Sequence, residues 1–223
     1  MTTPTAKPTP LLRTLSLTQI TLYGIGTILG AGIYVLVGEV ANITASYMPL
    51  AFVLAALVVS FSAYSYGHLS RLYPVSAGEP VYVQQAFSLK GLSTLVGYAI
   101  VFAGIVSAAT IARGFSGYFA VFLELPDALT ISLLIILLTA IAAWGVKLSV
   151  TVAITTTLLE LLGLAFVIYA GADKLPALFS NPDSPLIPTN LSAWQGVGAG
   201  AFLAFYAFIG FEDMVNMAEE VKQ

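Results

Sequence analysis

The sequence predicts an all-α integral membrane protein of six transmembrane helices, with helices 1 and 6 discontinuous. Three observations carry this. Of 223 residues, 58% are hydrophobic and only 9% charged, with a mean hydropathy of +0.93. Soluble domains carry about 25% charged and roughly 45–50% apolar residues, so this chain cannot cover a water-facing surface with charge. Six charge-poor stretches each provide the about 20 residues that a bilayer-spanning helix needs. The first and sixth of these, which cross in opposite directions, carry glycine-marked weak points near their middles.

The elements follow in order. A Pro/Thr-rich tail, 1–16, leads into span one, 17–41, which lies between Arg13 and Glu39. That apolar run is too long for a signal-peptide core and is not followed by a small-residue cleavage site, so it reads as a span. Span two, 46–69, is entered through Tyr47, Met48 and Pro49. The loop 70–90, with Pro74, Gly78 and Pro80 ahead of Val81, Tyr82, Val83 and Phe87, is expected along the inner membrane surface. Span three, 91–122, is interrupted only by Arg113. Span four, 129–146, follows the turn signal Leu125, Pro126, Asp127, and span five, 149–172, carries one carboxylate, Glu160. The Pro-rich outer loop 173–193 reads as an ordered cap, and span six, 194–221, contains Glu212 and Asp213. These runs are continuous rather than alternating, which selects helices over a barrel.

Several function classes are excluded. Without Cys there is no disulfide framework or thiolate metal site, and one His leaves zinc chemistry without a second imidazole. A net charge of −3 with no basic cluster provides no footprint for nucleic acid. An intramembrane hydrolase lacks a Ser or Asp in a catalytic setting with His68. Neither catalytic residues, nor a metal, nor a cofactor are expected, and the chain is not read as an enzyme.

Orientation follows the basic residues. Lys7, Arg13, Arg71, Lys90, Lys147 and Lys222 all fall on one side if the spans alternate, whereas Lys174 stands opposite beside Glu124, Asp127, Asp173 and Asp183. Both termini are therefore predicted to be cytoplasmic.

Span one contains Gly24, Gly26, Gly30 and Gly32, each costing about 1 kcal/mol relative to Ala in a helix interior. Gly26 lies midway between Arg13 and Glu39, near the bilayer midplane. Taken alone, the Gly26/Gly30 pair reads equally as a helix-packing face and as a point of unwinding. Span six shifts the balance, because Gly210 is followed by Glu212 and Asp213 near mid-membrane. Each such charge costs about 2.5–3.5 kcal/mol in a lipid-facing helix. A break near 208–212 lowers that cost by placing both carboxylates in the first turn of a new helical segment, where free amides and the dipole favour them. Capping stands at least level with direct proton or substrate binding for this pair. Broken ends also have chemistry: unpaired carbonyls suit an ammonium, and the amides of Gly30, Ala31 and Gly32 suit a carboxylate. A zwitterionic amino acid presents both groups.

At these residues the sequence resembles the amino acid/polyamine/organocation (APC) superfamily of permeases. GIGTILGAGIY, 24–34, resembles the family's glycine-rich first helix, and FYAFIGFEDMVNMAEE, 205–220, its sixth. YPVSAGEPVYVQQAF, 73–87, is similar to the loop after helix two, and IARGFSGY, 111–118, to helix three. The resemblance implies an APC/LeuT-type inverted-repeat fold, here a first five-helix repeat plus the first helix of the second. It implies that the backbone around Gly26, Thr27, Ile28, Gly30, Ala31 and Gly32 binds a substrate carboxylate. It further implies that Phe208, Ile209 and Gly210 help hold the amino group, and that Tyr206 is the aromatic gate over the occluded substrate. Two departures stand out. The family fold has a second inverted repeat, so 223 residues correspond to about half a carrier. Some proton-coupled relatives carry a lysine in helix five in place of a sodium ion, whereas the charged residue here is Glu160.

The remaining charges have structural and functional readings side by side. Arg113 either meets a substrate carboxylate or, the favoured reading, pairs with a buried carboxylate or snorkels to the outer interface. Glu160, near mid-membrane, is either a proton-coupling group or, the favoured reading, a hydrogen-bonded contact between helices. His68 reads as an interfacial structural residue, and Glu219 and Glu220 as a solvated helix end. The expected function is secondary active transport of amino acids by alternating access across a plasma or bacterial inner membrane, as the N-terminal half of a permease. Its partners are an amino acid substrate, a coupled proton if Glu160 acts, the lipid bilayer and a second-half chain, with no nucleic acid. The alternative is a truncated or split membrane fragment that does not transport alone.

Overall fold

A computed structural model describes residues 13–76, 78–174, 176 and 187–222. Most of the expected tail and of the 173–193 loop, with Lys7 and Asp183, lies outside the described residues. The rest is helical: α1 (Leu17–Thr44), α2 (Met48–Leu72), α3 (Gly78–Phe87), α4 (Lys90–Phe119), α5 (Asp127–Ala143), α6 (Val146–Gly171) and α7 (Leu191–Ala207). Short 3₁₀ turns at Ala45–Tyr47 and Ala172–Lys174 follow α1 and α6, and a 3₁₀ segment, Phe211–Glu220, follows α7. Among the described residues there are no strands, only an isolated bridge between Leu15 and Val221.

Among the described residues four stretches are long and apolar enough to cross a membrane: Leu17–Leu72, which comprises α1 and α2, Lys90–Phe119, Val146–Lys174 and Leu191–Glu220. The apolar α5 has 17 residues, about 26 Å at 1.5 Å per residue, at the short end of the range for a span. Their outward faces are apolar. On α4 alone, Leu95, Val101, Phe102 and Ile105 are exposed, as suits helices solvated by lipid.

Helix ends are set by hydrogen bonding rather than by hydropathy. α1 begins in a capping box: the Gln19 amide donates to Ser16 Oγ at 3.3 Å, and the Ser16 amide donates to Gln19 Oε1 at 2.9 Å. It continues past the apolar span to Thr44, where the Ala45 amide still reaches the Ala41 carbonyl. Pro49 opens α2, where its missing N–H is harmless. Within the 70–90 connection, α3 forms a ten-residue helix packed on α4.

The core lies where α1, α2 and α7 meet, around Val40, Ala51, Ala55, Val197 and Ala204. Small residues bring these backbones together, as lipid-solvated helices require when dispersion rather than the hydrophobic effect holds them. A Cβ added at Gly200 would lie 2.1 Å from Thr44 Cγ2, and one at Gly32 would lie 2.7 Å from the Ala207 main chain. α6 packs on the other flank of α1. The segments at the two ends of the described residues also meet: the Thr14 and Leu15 amides both donate to the Glu220 carbonyl at 2.9 Å, and the Lys222 amide to the Leu15 carbonyl at 2.8 Å. Leu15 is fully buried there.

Candidate functional site

The glycine-rich stretch of α1 leaves helical geometry at Gly30, where φ is −42° and ψ −128°. One turn earlier, the Thr27 hydroxyl donates back to the Gly24 carbonyl at 3.0 Å, a side-chain bond that competes with the helical ladder. α7 ends at Ala207, and the Phe208 and Ile209 amides bond three residues back, to Phe205 and Tyr206. Gly210 follows at φ +137°, a conformation in which a side chain is strained. The new segment is capped by its own carboxylate: Glu212 Oε2 accepts the Gly210 amide at 2.7 Å, while the Asp213 amide donates to the Gly210 carbonyl at 3.2 Å. The segment is 3₁₀ over ten residues, longer than the three or four such runs usually last.

The turn of α1 that precedes its break meets the break after α7. Thr27 Oγ1 lies 2.9 Å from the Gly210 carbonyl oxygen, and its one hydroxyl hydrogen is shared between that oxygen and the Gly24 carbonyl. A Cβ at Gly210 would sit 2.5 Å from the Thr27 carbonyl oxygen, so only glycine permits this approach. Beside this junction lies a cavity of about 70 Å³. Thr27, Gly32, Val35 and Leu36 of α1 form one wall, Ser107, Thr110 and Ile111 of α4 a second, and Tyr206 and Ile209 close it. Ser107 Oγ and Tyr206 Oη are 2.6 Å apart, which fixes the phenol over the cavity.

The sequence-derived residues divide accordingly. Thr27, Gly32, Tyr206 and Ile209 line the cavity, whereas Gly26, Ile28, Gly30 and Phe208 stand outside its wall, with Ala31 following the break in α1. Gly26 packs against α6: a Cβ there would be 1.9 Å from Thr157 Oγ1. The Phe208 ring lies edge-on to Phe52, their centroids 6.3 Å apart, in the packing around the core. Gly210 is at the junction, with its carbonyl taken up by Thr27 and Asp213. Glu160 approaches Gly30 from α6, its Oε1 3.6 Å from where a Cβ would sit, and its carbonyl accepts the Tyr34 hydroxyl at 3.0 Å. Arg113 is exposed on α4. Among the described residues the ion pair within 4 Å is Asp173–Lys174, so Arg113 pairs with no carboxylate there.

Sequence reasoning missed Ser107, Thr110 and Ile111. The available signal was two hydroxyl residues three positions apart near the middle of the span, which places them on one helix face.

On the side of the chain ends, α3 is tied beneath the 3₁₀ segment. The Ser76 amide donates to Glu219 Oε1 at 3.2 Å, and Tyr66 lies edge-on to Phe211 and Tyr82 with centroids 5.4 and 6.4 Å away. Tyr82 is buried, and no partner for its hydroxyl occurs among the described residues. Burial, with the Glu79 carboxylate adding to it, pushes the Tyr82 phenol up from its ordinary value.

The family model for amino acid permeases matches residues 15–223. The chain is 30% identical to the vacuolar Cationic amino acid transporter 4 of Arabidopsis thaliana over 96% of its own length and 39% of that protein's. It is 30% identical to two proteins of Bacillus subtilis (strain 168): the Methylthioribose transporter (97% of this chain, 50% of the relative) and the Branched-chain amino acid permease BcaP (95% and 49%). The chain thus spans half or less of the length of these curated relatives. No solved structure matches it. These relatives are transporters and not enzymes, and the apolar helices place the chain in a membrane. From its matched motifs and the family model that covers nearly all of it, this chain belongs to the amino acid permease family.

Proposed function

We propose that this chain is the N-terminal half of a secondary transporter that carries amino acids by alternating access across a plasma or bacterial inner membrane. The observation that carries the reading is the 2.9 Å bond from Thr27, one turn before the break in α1, to Gly210 at the break after α7, beside a cavity of about 70 Å³. Broken helices bring main-chain donors and acceptors to mid-membrane, where they bind a zwitterion's carboxylate and ammonium. The α1 backbone at Gly26, Thr27, Ile28, Gly30, Ala31 and Gly32 is assigned the carboxylate, the Phe208–Gly210 backbone the ammonium, and Tyr206 the gate. The relatives named as a cationic amino acid transporter and a branched-chain amino acid permease support an amino acid cargo.

The wider architecture is six transmembrane helices, one five-helix repeat plus the first helix of an inverted second, with both termini cytoplasmic. The tied layer of Leu15, Val221, Tyr66 and Phe211 then closes the cytoplasmic side, as one end of an alternating-access cycle requires. Glu160, whose Oε1 approaches the α1 break at Gly30, has two readings: a contact between helices, which is favoured, and a proton-coupling group. The pH dependence of uptake by Glu160→Gln separates them.

The coverage of relatives, half or less, also favours a second reading: a split or truncated fragment that does not transport alone. Uptake of labelled amino acids into proteoliposomes, with this chain alone and then with a supplied second half, separates the two. Gly30→Leu is expected to abolish amino acid binding while leaving the chain in the membrane, and unchanged binding would sink the site assignment.

A further inference from the structure

We infer that the groove between α3, the start of α4 and the 3₁₀ segment is a lipid-headgroup site, and that its occupant is a phospholipid with a primary ammonium, phosphatidylethanolamine. The groove is open on one side, measures about 500 Å³ and shares no lining residue with the cavity beside Thr27. Its depth in the membrane follows from the length of α4. Thirty residues at 1.5 Å each make about 45 Å, against a hydrocarbon core of about 30 Å, so the first turns of α4 reach the headgroup layer. Lys90 opens the helix and Tyr98 is exposed two turns on, residue types that anchor a span at that level.

Polarity changes along the groove as it does along a phospholipid. Lys90, Thr94, Gly97 and Val101 share one face of α4, which therefore runs from a charge through a hydroxyl to alkyl surface. The last three line the groove, and Lys90 stands one turn before them. On the facing side, the Ser93 hydroxyl donates to the Pro80 carbonyl at 2.6 Å and holds the first turn of α3 against that of α4. Glu79 adjoins this contact and lines the groove with Asn216 of the 3₁₀ segment. Among the described residues, Glu79 Oε2 is shut off from water without a hydrogen-bond partner, and no Lys or Arg lies within 4 Å of it. A carboxylate oxygen left so is costly, and a turn of the side chain into the groove lets an entering donor relieve it.

The two charges choose the headgroup. A primary ammonium brings three N–H donors to Glu79, while Lys90 neutralises the adjoining phosphate. Choline has no N–H to donate, glycerol brings no cation, and serine would set a second carboxylate against Glu79. The acyl chains then follow Ile100 and Val101 into the apolar layer.

The test is native mass spectrometry of the purified chain in detergent with four lipids of the same acyl chains: phosphatidylethanolamine, its N-methyl and N,N-dimethyl derivatives, and phosphatidylcholine. Affinity is expected to fall along that series by at least about tenfold as N–H donors are lost. Glu79→Gln is expected to bring the two ends of the series within about threefold of each other and to leave phosphatidylglycerol binding unchanged. Lys90→Gln is expected to weaken phosphatidylethanolamine and phosphatidylglycerol alike, by about fivefold. A flat series for the unmodified chain, a result that requires no variant to fold, overturns the inference. So does a preference that Glu79→Gln retains in full, or one that vanishes when a second half is supplied, which would give the groove to protein. None of these outcomes bears on the transport reading, which is tested by amino acid binding and uptake.

Discussion

The hydroxyl of Thr27 lies 2.9 Å from the carbonyl oxygen of Gly210, 183 residues away in sequence, and this bond joins the helical turn before the irregular point of α1 to the break after α7. The Gly210 carbonyl is exposed by a helix break in a medium that offers no water, and a side-chain hydroxyl one turn before the break in α1 supplies its partner. The bond therefore satisfies a carbonyl while fixing the relative height of α1 and α7.

Thr27→Val keeps the shape of the side chain and removes this donor. The Gly210 carbonyl retains the Asp213 amide, so the expected loss is about 0.5–1.5 kcal/mol rather than that of an orphaned group. Thr27→Ser keeps the hydroxyl and is expected to stay near the parent. Thermal melting followed by size-exclusion chromatography in detergent reads the difference, and equal melting of Val and Ser variants would remove the bond from the account.

Gly210→Ala is expected to be far more damaging. Its φ of +137° disfavours any side chain, and the new methyl would meet the Thr27 carbonyl oxygen at 2.5 Å. A loss of about 2–4 kcal/mol follows from strain and overpacking together. Gly38→Ala is the control, because nothing lies within 4 Å of a Cβ there. Similar melting temperatures for the two variants would contradict the apposition of the breaks.

Glu160→Gln tests the coupling role. If the carboxylate carries the proton, the amide variant retains amino acid binding but its uptake loses its dependence on external pH. Proteoliposome uptake measured over a pH series decides this, and a profile identical to the parent's assigns Glu160 to helix packing alone.

Tyr82 provides a prediction outside the membrane spans. Its hydroxyl is buried without a partner among the described residues, so Tyr82→Phe is expected to be neutral or to gain up to about 1–3 kcal/mol at neutral pH. The sign with pH follows from burial, which holds the folded phenol's pKa above the unfolded value of about 10. The stability this group contributes is fully present below that unfolded value and is lost as pH rises through the folded one. Above about pH 10 the parent's melting temperature is therefore expected to fall more steeply than that of Tyr82→Phe. Parallel curves would place the Tyr82 phenol in water.

Composition and charge spacing by themselves determined that this chain is solvated by lipid, that it is helical and where charge interrupts its apolar runs. Motif order indicated its family. These are sums over neighbouring residues, and a bilayer enforces them strongly because every main-chain group must find a partner within the protein. The glycines of 24–32 marked a weak point in α1, but they did not say which of them opens the helix. Only tertiary packing put Gly26 against Thr157, left Gly30 as the non-helical residue, and gave the Gly210 carbonyl to Thr27. It also brought Ser107, Thr110 and Ile111 to the cavity. The physical reason is that a contact between helices depends on their relative rotation and height. Those are set by all the small-residue contacts along α1, α4, α6 and α7 acting together, and no single stretch of sequence encodes them.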